Sequence, residues 1–266
     1  FIYMRTNHEI DYRIYGEELQ FVEIELDKDE TAIAESGSFM MMDDGIVMQT
    51  IFGDGSQQQD NSLLGKIFSA GKRVLTGESL FMSAFTNTVM DKRKVSFAAP
   101  YTGKIIPVDL QQLGGKLIAQ KDAFLCAAKG VSIGIELQRR LGTGIFGGEG
   151  FIMQKLEGDG MAFLHAGGYI VEKEVKQGDV LKVDTGCVVA YTPGVDFDIE
   201  FIKGIRNWMF GGEGLFFARL QGPGKVWLQS LPISRLAGRI IQYGTYKRKE
   251  EGSILGGLGN LFDGRE

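Results

Sequence analysis

Histidine, cysteine and proline are scarce in this chain, and each scarcity closes a route. Two histidines among 266 residues, His8 and His165, cannot build a histidine-rich metal cage or the multi-histidine site of a cupin barrel, so no metal or other cofactor is expected. The two cysteines, Cys126 in FLCAA and Cys187 in GCVVAY, sit in apolar stretches. That pattern suits reduced, packed thiols in a reducing cytoplasm rather than a disulfide framework. Five prolines are too few for a proline-rich linker. Long hydrophobic runs are missing as well: the start, FIYMRTNHEIDYRIYGEELQ, is interrupted by charge every few residues and resembles neither a secretion signal nor a spanning helix. Phe1 to Tyr3 stand ahead of Met4, and the sequence leaves open whether they are native. Basic excess is absent too. A net charge of −5 and an isoelectric point near 5.3 give no general attraction to phosphate backbones, so no nucleic-acid partner is expected. Lys92-Arg93-Lys94 reads as a solvated hairpin turn without the interleaved aromatics of a base-stacking platform.

What is present is glycine, 38 residues, together with 44% hydrophobic content. The apolar residues come in short runs bounded by Gly, Asp or Asn: VEIEL, FMMM, GFIMQKL, MAFLHA, VLKVD, CVVAY, DFDIEFI, KVWLQ. Period two with β-branched and aromatic enrichment predicts strands, and a helical period is missing nearly everywhere. The one expected exception is a short helix toward the end of 53–75. The predicted class is all-β.

One glycine cluster imitates a nucleotide motif. LGTGIFGGEGF, residues 141–151, places Gly142, Gly144 and Gly147 in the spacing G-x-G-x-x-G. A dinucleotide loop must open a helix so that its amides face a pyrophosphate. Here the chain continues as GEGFIMQKLEGDG, a strand and a turn, and the related segment 206–214, RNWMFGGEG, lacks the first two glycines. The match is accidental. No Walker loop exists either, since Val226 follows Gly224-Lys225, and the serines lack a nucleophile elbow. His165, in AFLHAGG, reads as a strand-edge or turn residue. No catalytic residue is predicted, and the chain is not expected to be an enzyme.

Self-similarity is the strongest signal. The segments 76–87, 147–166 and 211–230 share one grammar around Glu78, Glu149 and Glu213, and a second block recurs at 32–49, 118–136 and 182–200. This predicts three pseudo-repeats of about 65 residues, units 20–103, 104–168 and 169–232, packed as one domain over 1–246. The Gly-rich tail, 247–266, is expected to be flexible. The three glutamates are read first as turn carboxylates accepting backbone N–H bonds. Just before each lies a mixture of basic and large apolar residues: Lys66, Phe68 and Arg73; Arg139, Arg140 and Phe146; Lys203, Arg206, Trp208 and Phe210. These either close the core or a subunit interface, or form a three-part rim for an anionic membrane surface or protein partner, where each base adds up to ~1 kcal/mol.

The TGES, FGGEG and FGGEG blocks, with 164-LHAGGYIVEKEVKQGDVLKVDTGCVVAYTP-193, resemble the altered-inheritance-of-mitochondria protein family from about Tyr12 to Tyr246. The resemblance implies a β-sandwich or double-stranded β-helix body of the tryptophan RNA-binding attenuator-like type, commonly a homotrimer. It implies a role in inner-membrane organisation for mitochondrial relatives and carries no catalytic residues. The resulting expectation is a cytoplasmic, non-enzymatic structural or interaction protein. The alternative is small-molecule binding in a β-barrel-like cavity.

Overall fold

The computed structural model describes residues 6–35, 37–52, 81–139, 151–202, 215–241 and 243. Within them the chain forms β1 (Asp11–Tyr15), β2 (Phe21–Leu26), β3 (Thr31–Glu35), β4 (Phe39–Met42), β5 (Ile46–Phe52), β6 (Phe81–Asn87), β7 (Arg93–Ala98), β8 (Gly103–Asp109), β9 (Lys116–Gln120) and β10 (Phe124–Ala128). There follow β11 (Ser132–Arg139), β12 (Phe151–Glu157), β13 (Met161–Gly167), β14 (Ile170–Val175), β15 (Val180–Asp184), β16 (Val188–Tyr191), β17 (Asp196–Ile202), β18 (Leu215–Gln221) and β19 (Gly224–Gln229). One helix, α1 (233–241), comes after the last strand. The fold is all-β, as the period-two runs predict.

The strands form four antiparallel sheets: β1-β2-β7-β4, then β5-β6-β3-β10-β13-β8, then β11-β12-β9-β16-β19-β14, and last β15-β18-β17. The sheets stack as layers and do not close into a barrel. Three apolar clusters show the order. Val22, Ile24, Val95 and Phe97 of the first sheet meet Ala32, Phe85 and Phe163 of the second. The opposite face of the second sheet, with Ile33, Met82 and Leu164, meets Leu117, Leu156 and Trp227 of the third. The third sheet turns Ile118, Met153 and Val226 toward Ala218 and Leu220 of the fourth.

This layering explains two kinds of strand sequence. A strand in an outer layer is wet on one face and alternates, as β2 does in FVEIEL with every second residue buried. A strand in an inner layer is covered on both faces and reads as an unbroken apolar run. β10 (FLCAA) and β16 (VVAY) are buried at every position.

A local arrangement recurs along the chain. A hairpin and one added strand appear as β5-β6-β3, β11-β12-β9 and β17-β18-β15, and a second triplet as β4-β7-β2, β10-β13-β8 and β16-β19-β14. The second triplet carries a register shift at one place each time, between Phe39 and Met41, Phe124 and Cys126, and Val188 and Ala190. Part of the glycine content answers to close approach. Gly130 and Gly158 have φ of +107° and +146°, and Asn7 occupies the space where a Cβ would sit.

Three sequence expectations are corrected. His165 is neither at a strand edge nor in a turn: it lies within β13, which is paired on both sides by β10 and β8, because the strand runs on through Ala166 to Gly167. Lys92-Arg93-Lys94 is not a hairpin turn, because β6 and β7 belong to different sheets and Arg93 and Lys94 already lie in β7. Finally, residues 233–241, ISRLAGRII, form a helix where none was foreseen. Pro232 stands at its start, where its carbonyl accepts the Arg235 and Leu236 N–H groups, and Arg235 anchors the helix to Asp184 at 3.2 Å. The expected helix within 53–75 lies outside the described residues, as does the tail.

Candidate functional site

The carboxylates Glu78, Glu149 and Glu213 lie outside the described residues. So do Lys66, Phe68, Arg73, Arg140, Phe146, Lys203, Arg206, Trp208 and Phe210. Arg139 is placed by its backbone alone, as the last residue of β11. What the structure does place is the strands that hold these three connections. Each connection joins the two ends of a paired hairpin, closed by Phe52 and Phe81, by Arg139 and Phe151, and by Ile202 and Leu215. β12 begins at Phe151, and the motif glycines ahead of it, residues 142–150, lie outside the described residues.

Beside the first hairpin lies a feature that the sequence reading passed over. β4 is the outer strand of the first sheet, and Phe39, Met40, Met41 and Met42 are 42%, 49%, 45% and 41% exposed. Val47 and Met48, at the start of β5, are exposed as well. Phe39 is partly held by stacking on Phe85 with ring centroids 5.4 Å apart. FMMM is recognisable in sequence as a strand, but nothing local says that its outer edge pairs with no strand among the described residues.

A titratable group gathers where β3 meets β10. The Glu35 carboxyl is pushed up to about 7, first by burial and then by the charge of Asp122, with Lys121 opposing. Burial and Asp122 also push the Tyr101 phenol up, to about 12. The Tyr101 ring meets His165 edge to face at 4.4 Å. His165 is 1% exposed, and neither ring nitrogen has a hydrogen-bond partner of ordinary geometry. Burial holds its pKa down near 4, against a smaller opposing contribution from the Tyr101 backbone, so the ring is neutral at physiological pH. His8, the other histidine, accepts the Thr31 N–H through Nδ1 at 2.9 Å and serves the edge of β3. Among the described residues no group of three His, Cys, Asp or Glu side chains could hold a metal ion. Cys126 and Cys187 are free thiols.

The pairing order and the layered sheets can be set beside known proteins. The family model described as Mitochondrial biogenesis AIM24 matches residues 12–231. The chain belongs to this family. An uncharacterised protein from Streptococcus pyogenes serotype M6 is 29% identical over 227 residues, covering 84% of this chain and 86% of its own length. A crystal structure of a Streptococcus pyogenes protein, solved by a structural-genomics consortium, superposes with a TM-score of 0.68 at 22% identity. It covers 88% of this chain and 100% of the other, and at that identity the likeness concerns the fold alone. No helix among the described residues is long and apolar enough to cross a membrane.

Proposed function

We propose that this AIM24 protein acts without catalysis, as an interaction protein built of three units, each offering one basic and apolar connection to an anionic membrane surface. The observation that supports the reading is the common placement of the three connections. Each spans the open end of a two-stranded hairpin that is itself pinned by a third strand, β3, β9 or β15. Three weak contacts on one rigid body act together, because after the first the others bind at high effective concentration. Seven bases over the three connections, Lys66, Lys72, Arg73, Arg139, Arg140, Lys203 and Arg206, provide a local attraction that the net charge of −5 does not cancel within a Debye length. The stacked sheets offer no barrel lumen, which leaves the ligand-cavity alternative without a supporting observation.

Flotation with liposomes tests this. The protein should rise with vesicles containing phosphatidylserine, remain below with phosphatidylcholine alone, and detach as salt is raised. Failure to float with either lipid sinks the membrane reading, and capture of one stoichiometric protein partner in its place would redirect it.

A further inference from the structure

The stack of sheets ends in two strand edges that match one another. Within the chain, neighbouring units are knitted by one joint used twice: β10 pairs with β3, and β16 pairs with β9. In both, the residue just past the register shift, Cys126 or Ala190, lies opposite the penultimate residue of the other strand, Ala34 or Ala119. β4 has the same shift against β7, between Phe39 and Met41, yet no strand among the described residues takes its other edge. β15 leans on β18 as β3 does on β6 and β9 on β12, and its other edge is likewise without a strand among the described residues.

The geometry points to β15 of one copy adding antiparallel to β4 of a second copy, with Met41 opposite Val183 and Met42 opposite Lys182. Three observations support a copy of this chain as the occupant. First, FMMM has the unbroken apolar pattern of β10 and β16, which are buried at every position, whereas all four of its residues are exposed. Second, β4 carries no charge, proline or glycine within it, and an apolar edge left open in this way is an aggregation hazard unless it is covered. Third, the complementary strand already exists at the far end of the same chain, with the same neighbours and in the same register.

The two edges belong to the first and last sheets, with both six-stranded layers between them, so the joint forms between copies. Such a contact is head to tail and generates a ring if its rotation closes, or a filament if it does not. The outward face of the first sheet beyond β4 is ion-paired, Lys94 with Glu23 at 2.8 Å and Lys92 with Glu25 at 2.8 Å, which confines the contact to the edge. The terminal strands also carry larger or more polar residues than the internal joints. Lys182 stands where Ile33 and Ile118 do, and Met41 where Cys126 and Ala190 do. An edge that must tolerate water before it is joined requires this.

The inference rests on the interaction reading but fails separately from it, because it is read by mass rather than by lipid. Light scattering after size exclusion should give the full chain a mass that is a multiple of 29.3 kDa. Met41→Lys with Met42→Lys closes one edge and sets a lysine opposite Lys182. Val180→Asp with Lys182→Asp closes the other and sets an aspartate opposite Asp44. Unchanged far-ultraviolet circular dichroism and thermal midpoints check that both variants fold. Each variant alone should be a monomer, and an equal mixture should give a dimer and nothing larger, since one intact edge of each kind remains. A monomeric unsubstituted chain overturns the proposal. So does a Val180/Lys182 variant that keeps the original mass, which would mean that β4 pairs with itself.

Discussion

Glu35, half-buried and facing the charge of Asp122, and His165, buried against Tyr101, pull stability in opposite directions with pH. Glu35 holds its proton up to about pH 7 when folded and to 4.5 otherwise, so the folded state binds more protons between those values and stability falls as pH rises through that window. His165 titrates near 4 when folded and at 6.5 otherwise, so the unfolded state binds more protons between 4 and 6.5 and stability climbs with pH there. The two slopes largely cancel between pH 4.5 and 6.5. Glu35→Gln removes one of them: thermal melts should show a steeper rise of the variant from pH 4 to 6.5, and about 1–2 kcal/mol more stability than the parent above pH 7. Parallel curves would contradict the burial of Glu35. Gln229 is a second residue whose role is local. Its Nε2 donates to the Gly186 carbonyl and its Oε1 accepts from the Gly167 N–H, both at 2.8 Å and buried. Gln229→Ala leaves both backbone groups unpaired and should cost about 2–4 kcal/mol in urea titration. None of this was legible in the sequence, where Glu35, Gln120 and Asp184 look like interchangeable strand ends and His165 looks peripheral.

Whole elements were more legible than single residues. VEIEL announced a strand by its alternation, and the structure shows the reason for the alternation, one wet face on β2. CVVAY announced a strand by length and composition, while FLCAA reads only as an apolar stretch around Cys126; an unbroken run shows only that both faces are covered, and the covering sheets come from distant parts of the chain. Phe163 illustrates the consequence. It is fully buried, lies on the face of the second sheet that meets the first, and packs edge to face on Tyr12 at 4.8 Å. Phe163→Ala should cost about 3–5 kcal/mol by chemical denaturation, since a cavity between two sheets collapses poorly. A loss under about 1 kcal/mol would mean that the first layer is not firmly seated on the second. The helix at 233–241 escaped because it is a single short element after a long series of strands, and its apolar residues, Leu236, Ile240 and Ile241 among them, are easily taken for another strand.

At the scale of the molecule, the layers put the three hairpin ends on one framework, and that is where charge should matter. Reversing Arg139, Arg140, Lys203 and Arg206 to Glu should abolish flotation with anionic vesicles while leaving the unfolding free energy within about 1 kcal/mol of the parent, as surface substitutions usually do. Equal loss of stability and binding would assign these bases to the core or a subunit contact. The sequence by itself determined the all-β class and the approximate places of most strands, because period two and turn residues are local properties of a chain. Only the tertiary structure decided which apolar runs lie between two sheets, that His165 is enclosed, and that β4 keeps its apolar side chains in water. Burial depends on what arrives from elsewhere, and a strand's own residues do not record whether its neighbour is present.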